Sequence, residues 1–212
     1  MRCWPFDIET HGDESAVEFM PTPKAPSNYK DAEKIAAYIA EKQADERKSM
    51  SLDPTVGRIV ALGYGCSVQV CPTIEDERIA LTDFWHAWVD CPLPKVGYNV
   101  LAFDLPFLRM RSIILNVAYP NLILSKYKVL GVTDLMLDLH PVADRGDYKS
   151  MNFWIKRLGL DVPVDKTTGA DVAAMFASSD FAGISTHCEI DLIKTAALYD
   201  RLYPAPDPDE VF

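Results

Sequence analysis

The sequence predicts a single α/β domain: a mixed β-sheet with helices on its faces. Its 212 residues suit one domain on a scale of roughly 100–200 residues each. Short strand-like runs open the chain, strands and helical periods then alternate, and the C-terminal third has helical periodicity. With 49% hydrophobic and 25% charged residues, the chain can bury a core without disulfides or a structural metal.

Residues 2–7 read as the first strand, and Ile8 keeps the alternation, so Asp7 and Glu9 share a face. From 10 to 28 the composition turns to Gly, Pro, Ser and acids and reads as loop. Residues 31–50 are strongly helical, and a narrow apolar stripe of Ile35, Tyr38, Ile39 and Lys42 predicts an insertion docked by one edge. After the turn at Asp53-Pro54, residues 58–65 and 67–71 read as two strands of a meander, with Gly63 and Gly65 loosening the first. Residues 75–89 predict a helix turning Ile79, Leu81, Phe84, Trp85 and Trp88 inward. A short strand at 94–98 leads through the link 99–104 into an apolar helix from 105 to about 115, and 128–134 reads as the last strand. Helices follow at 151–158, with Ser150 as N-cap, at 169–176 and at 187–202. The domain so drawn covers 1–202, and the three prolines of 203–212 predict a flexible tail.

Composition excludes several classes. The 21 Lys+Arg against 31 Asp+Glu give a net charge of −10, which opposes a duplex-coating protein held by counterion release. An acidic chain still handles phosphodiesters where carboxylates hold divalent cations, because the metal meets the phosphate. Cys3, Cys66, Cys71, Cys91 and Cys188 are an odd set without CxxC spacing, so neither a disulfide framework nor a zinc knuckle is indicated, and reduced thiols are expected. No apolar run approaches the roughly 20 residues of a membrane helix, and no basic-then-apolar leader opens the chain; the expectation is a cytoplasmic protein without membrane contact.

Three sites carry chemistry. Asp7 and Glu9, facing one way at a strand end, repel each other unless a cation sits between them, although solvated sheet edges look the same. Asp104 closes the polar link Tyr98-Asn99-Val100-Leu101-Ala102-Phe103-Asp104 at a position where a simple N-cap would sit. His187 and Asp191, four apart, share a helical face, with Leu192, Thr195 and Leu198 available to pack that helix; a solvated His–Asp pair is the plain alternative.

Together, Phe6-Asp7-Ile8-Glu9-Thr10, Gly97-Tyr98-Asn99 through Phe103-Asp104, and His187 through Asp191 resemble the three motifs of the DEDD superfamily of 3′–5′ exonucleases, which have an RNase H-like fold. The similarity is nearer to stand-alone exonucleases related to the proofreading domain of family B DNA polymerases, in which a segment like 51–63 leads into the second strand. It spans nearly all of the chain apart from the tail and the 31–50 helix. The resemblance implies a metal-dependent 3′–5′ exonuclease that hydrolyses terminal phosphodiesters of single-stranded nucleic acid, DNA before RNA, to nucleoside 5′-monophosphates. It also implies two Mg²⁺ or Mn²⁺ ions, one held by Asp7, Glu9 and Asp191, with Asp7 bridging to a second that Asp104 helps hold; oxygen-only ligands suit these metals. Asp7, Glu9, Asp104, His187 and Asp191 would be the catalytic set. Thr10, Asn99 and Phe103 would meet substrate, Phe103 by stacking or by packing beneath the site. The implied partners are a DNA or RNA 3′ end and replication or repair proteins, in a bacterial or phage-infected cytoplasm. An exoribonuclease of the same fold and a catalytically weakened binding module are the alternatives.

One position departs from the pattern. The superfamily divides by a Tyr four residues before the last Asp or a His five before it, whereas here His187 has the Tyr spacing and Thr186 the other position. A histidine accepts a proton near neutrality, while a tyrosine mainly orients water. Elsewhere, His11 reads as a loop residue, His86 and His140 as structural, and Asp134 and Asp138 as secondary carboxylates or helix caps. Lys126, Lys128, Lys149, Lys156 and Arg157 are candidates for phosphate contacts or a solvated face.

Overall fold

A computed structural model describes residues 1–122, 128–140 and 147–205. Its centre is β1 (Trp4–Gly12), which pairs antiparallel with β2 (Gly57–Tyr64) and parallel with β4 (Lys95–Gly97). β3 (Ser67–Val70) joins β2 antiparallel, β5 (Val132–Asp134) joins β4 in parallel, and the order is β3-β2-β1-β4-β5. This is the expected α/β architecture, a single mixed sheet flanked by helices and compatible with an RNase H-like fold.

β1 runs past Thr10, where a loop is expected. Pairing with β2 survives a bulge in which the register steps from Glu9↔Ala61 to Thr10↔Ile59, and it continues to Gly12↔Gly57. His11 therefore lies on the strand, its ring 4.8 Å from that of Phe176. Beyond it, Asp13 caps a 3₁₀ turn over Glu14–Phe19, also within the expected loop.

The helices form two layers. α2 (Ile74–Asp90) starts with a capping box between Thr73 and Asp76. It buries Glu77, Ala80, Leu81, Phe84, Trp85 and Trp88 against Phe6, Ile8, Ile59 and Leu62 of the sheet and Leu105, Phe107 and Leu108 of α3 (Asp104–Ile114). Ile79 is a correction to the inward set: it is 47% exposed, because it lies two positions from both Glu77 and Leu81 and so about 200° around the helix. Inside this layer Arg111, 1% exposed, pairs with Glu77 through Nε and a terminal nitrogen at 2.8 and 2.9 Å, and reaches Asp13 at 3.5 Å.

The second layer contains α4 (Leu135–Leu139), which the sequence reading lacked, α5 (Met151–Leu158), α6 (Gly169–Ala177) and α7 (Phe181–Leu202). α7 begins six residues before His187, capped by Asp180 on the Gly183 N–H. His187 and Asp191 consequently sit in its interior turns over the sheet. A Cβ added at Gly63 would stand 2.7 Å from Cys188 Sγ and 3.0 Å from Leu192 Cδ1, so glycine lets α7 rest directly on β2. α1 (Ala32–Ser49) buries none of its residues; only Met50, just after it, is fully inside. Tyr203 follows α7 and is tied to Arg2 and Asp138, and the rest of the expected tail, 206–212, lies outside the described residues. Among the described residues no helix is long and apolar enough to cross a membrane.

Candidate active site

Three segments far apart in sequence converge on β1 just beyond Pro5, where its pairing with β4 ends; Asp7 and Glu9, expected at a strand end, lie inside β1 because its pairing with β2 runs on to Gly12. β1 supplies Asp7 and Glu9, the latter 6% exposed. The turn after β4 supplies Asn99, Phe103 and Asp104. It needs two local devices: Gly97, where a Cβ would fall 2.0 Å from Val100 Cγ1, and Asn99 at φ 68°, a left-handed conformation that asparagine tolerates.

Asp134 holds that turn. Its carboxylate accepts the N–H groups of Asn99 at 2.9 Å, Leu101 at 3.0 Å and Met136 at 3.1 Å, so it caps α4 and pins the link that carries Asp104. Of the two readings open for Asp134, the structure shows the cap. Asp134→Ala would orphan three donors at a 5% exposed position. We expect a loss of about 3 kcal/mol in urea unfolding, with hydrogen bonds to charged groups worth roughly 1.5–3 kcal/mol each and partial compensation by water; a loss below about 1 kcal/mol would show that the turn holds itself.

Asp104 is the first residue of α3, not its cap. Phe103 has the cap position without a side-chain bond, and Asp104 Oδ1 accepts the Ile8 N–H at 3.2 Å, across to β1. α7 contributes His187 and Asp191. Lys194, 2% exposed, donates to Asp191 Oδ1 at 2.8 Å. His187, 5% exposed, places Nε2 3.4 Å from Glu9 Oε1 and Nδ1 2.7 Å from Asp165 Oδ2.

Asp7, Glu9, Asp104, His187 and Asp191 line one cleft of about 420 Å³ together with Thr10, Asn99 and Phe103. All eight sequence candidates are thus brought together. Thr10 donates its hydroxyl to the Ser51 carbonyl at 2.7 Å, and Phe103 packs on Phe107 at 5.5 Å between ring centres while still lining the cleft. Tyr98 of the second motif and Ser51 and Leu52 of the 51–63 segment also line it, together with Gly169, which had no sequence signal. Asp165 was missed as well.

Electrostatically the site is a crowd of carboxylates with little counter-charge. Burial, then repulsion from Asp104, Glu9 and Asp191, raises Asp7 well above the usual carboxylate range against the pull of Lys194. Burial with Asp191 and Asp104 pushes Glu9 up to about 8, and burial pushes Asp104 up to about 7 despite the backbone N–H groups that hold its anion. Asp165 goes the other way, held at about 2, first by the Thr167 N–H and then by Thr167 and His187 side chains.

The donor chemistry fits a hard divalent cation: four carboxylates, no deprotonated sulfur, and mutual repulsion that a cation would relieve. Cys188 Sγ approaches Asp7 at 4.0 Å, but burial raises its thiol and keeps it protonated. As the side chains stand, no group of three or more His, Cys, Asp or Glu among the described residues is gathered closely enough to hold a metal. Asp191 is engaged by Lys194, Asp104 by the Ile8 N–H, and Glu9 faces His187.

The remaining candidates lie elsewhere. Asp138 accepts the Tyr203 hydroxyl. His140 accepts the Lys149 N–H at Nε2 and bonds the Met136 carbonyl through Nδ1, a structural role, while His86 is exposed on α2. Lys128, Lys149, Lys156 and Arg157 are exposed, and none is among the described residues lining the cleft; Lys126 lies outside the described residues.

Fold and cleft together define an α/β chain with a carboxylate-lined cleft beside the middle of its central strand. No protein-family model and no curated protein matches the sequence. Among solved structures the chain is similar to the family B DNA polymerase from the hyperthermophilic archaeon Pyrobaculum calidifontis, with a TM-score of 0.58 and 17% identity. The match covers 95% of this chain and 24% of the polymerase, so the chain spans about a quarter of that protein's length. At this identity the likeness establishes the fold.

Proposed function

We propose that the chain is a 3′–5′ exonuclease of the DEDD superfamily that removes nucleoside 5′-monophosphates from single-stranded DNA. The observation that supports this reading most strongly is the convergence of Asp7 and Glu9, Asp104, and His187 and Asp191, from three distant segments, on one cleft. The choice of DNA follows the polymerase of similar fold. Asp7, Glu9, Asp104 and Asp191 would hold two Mg²⁺ or Mn²⁺ ions, which when bound supply charge stabilisation for the attacking and leaving oxygens. His187 turns Nε2 toward Glu9 and the cleft, where it holds a water and accepts its proton. Phe103 offers a ring face to the terminal base, and Asn99 lines the wall beside it.

The test is incubation of the protein with 5′-labelled single-stranded DNA and RNA in Mg²⁺, Mn²⁺ or EDTA. A one-nucleotide ladder from the 3′ end, on DNA, dependent on metal, is expected. Faster degradation of RNA would move the substrate to the exoribonuclease alternative, and binding without cleavage would make the chain a binding module.

A further inference from the structure

We propose that Asp165 is a positioning residue that fixes His187 in the tautomer with its proton on Nδ1, leaving the Nε2 lone pair to face Glu9 and the cleft. The catalytic consequence rests on the exonuclease reading; the tautomer does not. Asp165 stands in the segment between α5 and α6, 22 residues from His187, and no motif points to it. Its Oδ2 lies 2.7 Å from His187 Nδ1, and its Oδ1 accepts the Thr167 N–H at 2.8 Å. Both oxygens are therefore committed. The adjacent residue pair keeps the segment in place: Thr168 donates its N–H and its hydroxyl to Asp171 Oδ2, each at 2.8 Å, at the start of α6.

The proton assignment follows from donor and acceptor counting. Asp165 remains ionised far below neutrality, with the Thr167 bonds the main cause. An ionised carboxylate only accepts, so the ring nitrogen facing it at 2.7 Å must carry the hydrogen. In the neutral ring Nε2 then has the lone pair, and it is the nitrogen 3.4 Å from Glu9. The His187 side chain is 6% exposed and Asp165 16%, so water cannot easily replace the pairing. A carboxylate behind a base, setting its tautomer and ring orientation, is the physical logic of a positioned proton acceptor.

Thr167 makes the test sharp. In Asp165→Asn the amide oxygen stays on the Thr167 N–H, which turns the NH₂ toward His187 Nδ1. A donor there forces the ring proton onto Nε2 and removes the acceptor from the cleft. We would record ¹⁵N shifts of His187, assigned with His187→Gln, at about pH 8 where an ordinary imidazole is neutral, alongside kcat and KM on single-stranded DNA. The wild type should show the proton on Nδ1. Asp165→Asn should show it on Nε2, with kcat reduced about 10²–10⁴-fold, the usual contribution of a positioned base, and KM little changed. Asp165→Ala, lacking the misplaced donor, should retain more activity than Asp165→Asn. A wild-type ring protonated on Nε2, or an Asn variant with unaltered ring and kcat, overturns the proposal. If the wild type cleaves nothing, the exonuclease reading fails while the ¹⁵N shifts still decide the tautomer.

Discussion

Replacing Asp7 with alanine is expected to lower terminal phosphodiester hydrolysis by more than about a hundredfold, equivalent to roughly 2.7 kcal/mol of transition-state stabilisation. Asp7 is the group on which the other carboxylates converge: Asp104, Glu9 and Asp191 all act on it, and it stands on the central strand, paired with Gly63 of β2. Single-turnover rates with saturating Mg²⁺ would measure the loss. Turnover by Asp7→Ala at the wild-type rate would place the chemistry elsewhere. The same crowding gives a stability signature. Glu9 at about 8 and Asp104 at about 7 lie above their ordinary values of 4.5 and 3.8, so the folded chain keeps protons that the unfolded chain has released. Their contribution is full below pH ~4 and lost as pH rises through about 7–8. In EDTA the protein should therefore be less stable at pH 9 than at pH 6 by thermal melting. Mg²⁺, replacing those protons as counter-charge, should flatten the slope, whereas a flat or rising profile in EDTA would mean that the carboxylates are not held protonated.

The largest loss of stability is expected from Arg111→Ala. Arg111 is 1% exposed, Glu77 0% and Asp13 7%, and Glu77 Oε1 also accepts the Ile59 N–H of β2 at 2.9 Å. Removing the guanidinium strands a buried carboxylate that cannot leave without breaking its bond to the sheet. Breaking such a pair from one side costs about 3–5 kcal/mol, or about 6–20 °C in Tm for a domain of this size. Glu77→Gln keeps an acceptor for Ile59 and removes the charge, so the double variant Glu77→Gln, Arg111→Met should recover part of the loss. A double variant as unstable as Arg111→Ala would show that shape, rather than stranded charge, sets the cost.

The legible parts of the molecule were those carried by local period or by motif. Alternation alone put Asp7 and Glu9 on one face, and the resemblance of the three motifs to a known superfamily implied that Asp104 and His187 join them. What escaped depends on contacts between distant segments. Nothing in the local pattern of either helix links Arg111 with Glu77, and only the packing of α3 on α2 brings them together as a buried pair. Asp165 lies in a stretch without periodicity, and its partner is a full helix away. β1 outruns its sequence signal because a bulge opposite Thr10 absorbs the irregularity and lets pairing resume to Gly12. Ile79 was misplaced because apolar character was read without its angular position on α2.

The exposed state of α1 has a bearing on how the cleft responds to load. None of its 18 residues is fully buried, although Ile35, Tyr38 and Ile39 of the apolar stripe are half-buried, and the chain re-enters the core only at Met50, directly before Ser51 and Leu52 of the cleft wall. Ser51 is coupled to the strand through Thr10, one residue beyond Glu9. The floor of the site therefore rests on the sheet, while one wall continues into a helix docked only along one half-buried edge. A docking event on α1 is expected to reach the lip of the cleft through Met50 and Ser51. On the exonuclease reading, changes in α1 should tune how long a strand end dwells at this lip without resetting the groups that act on it.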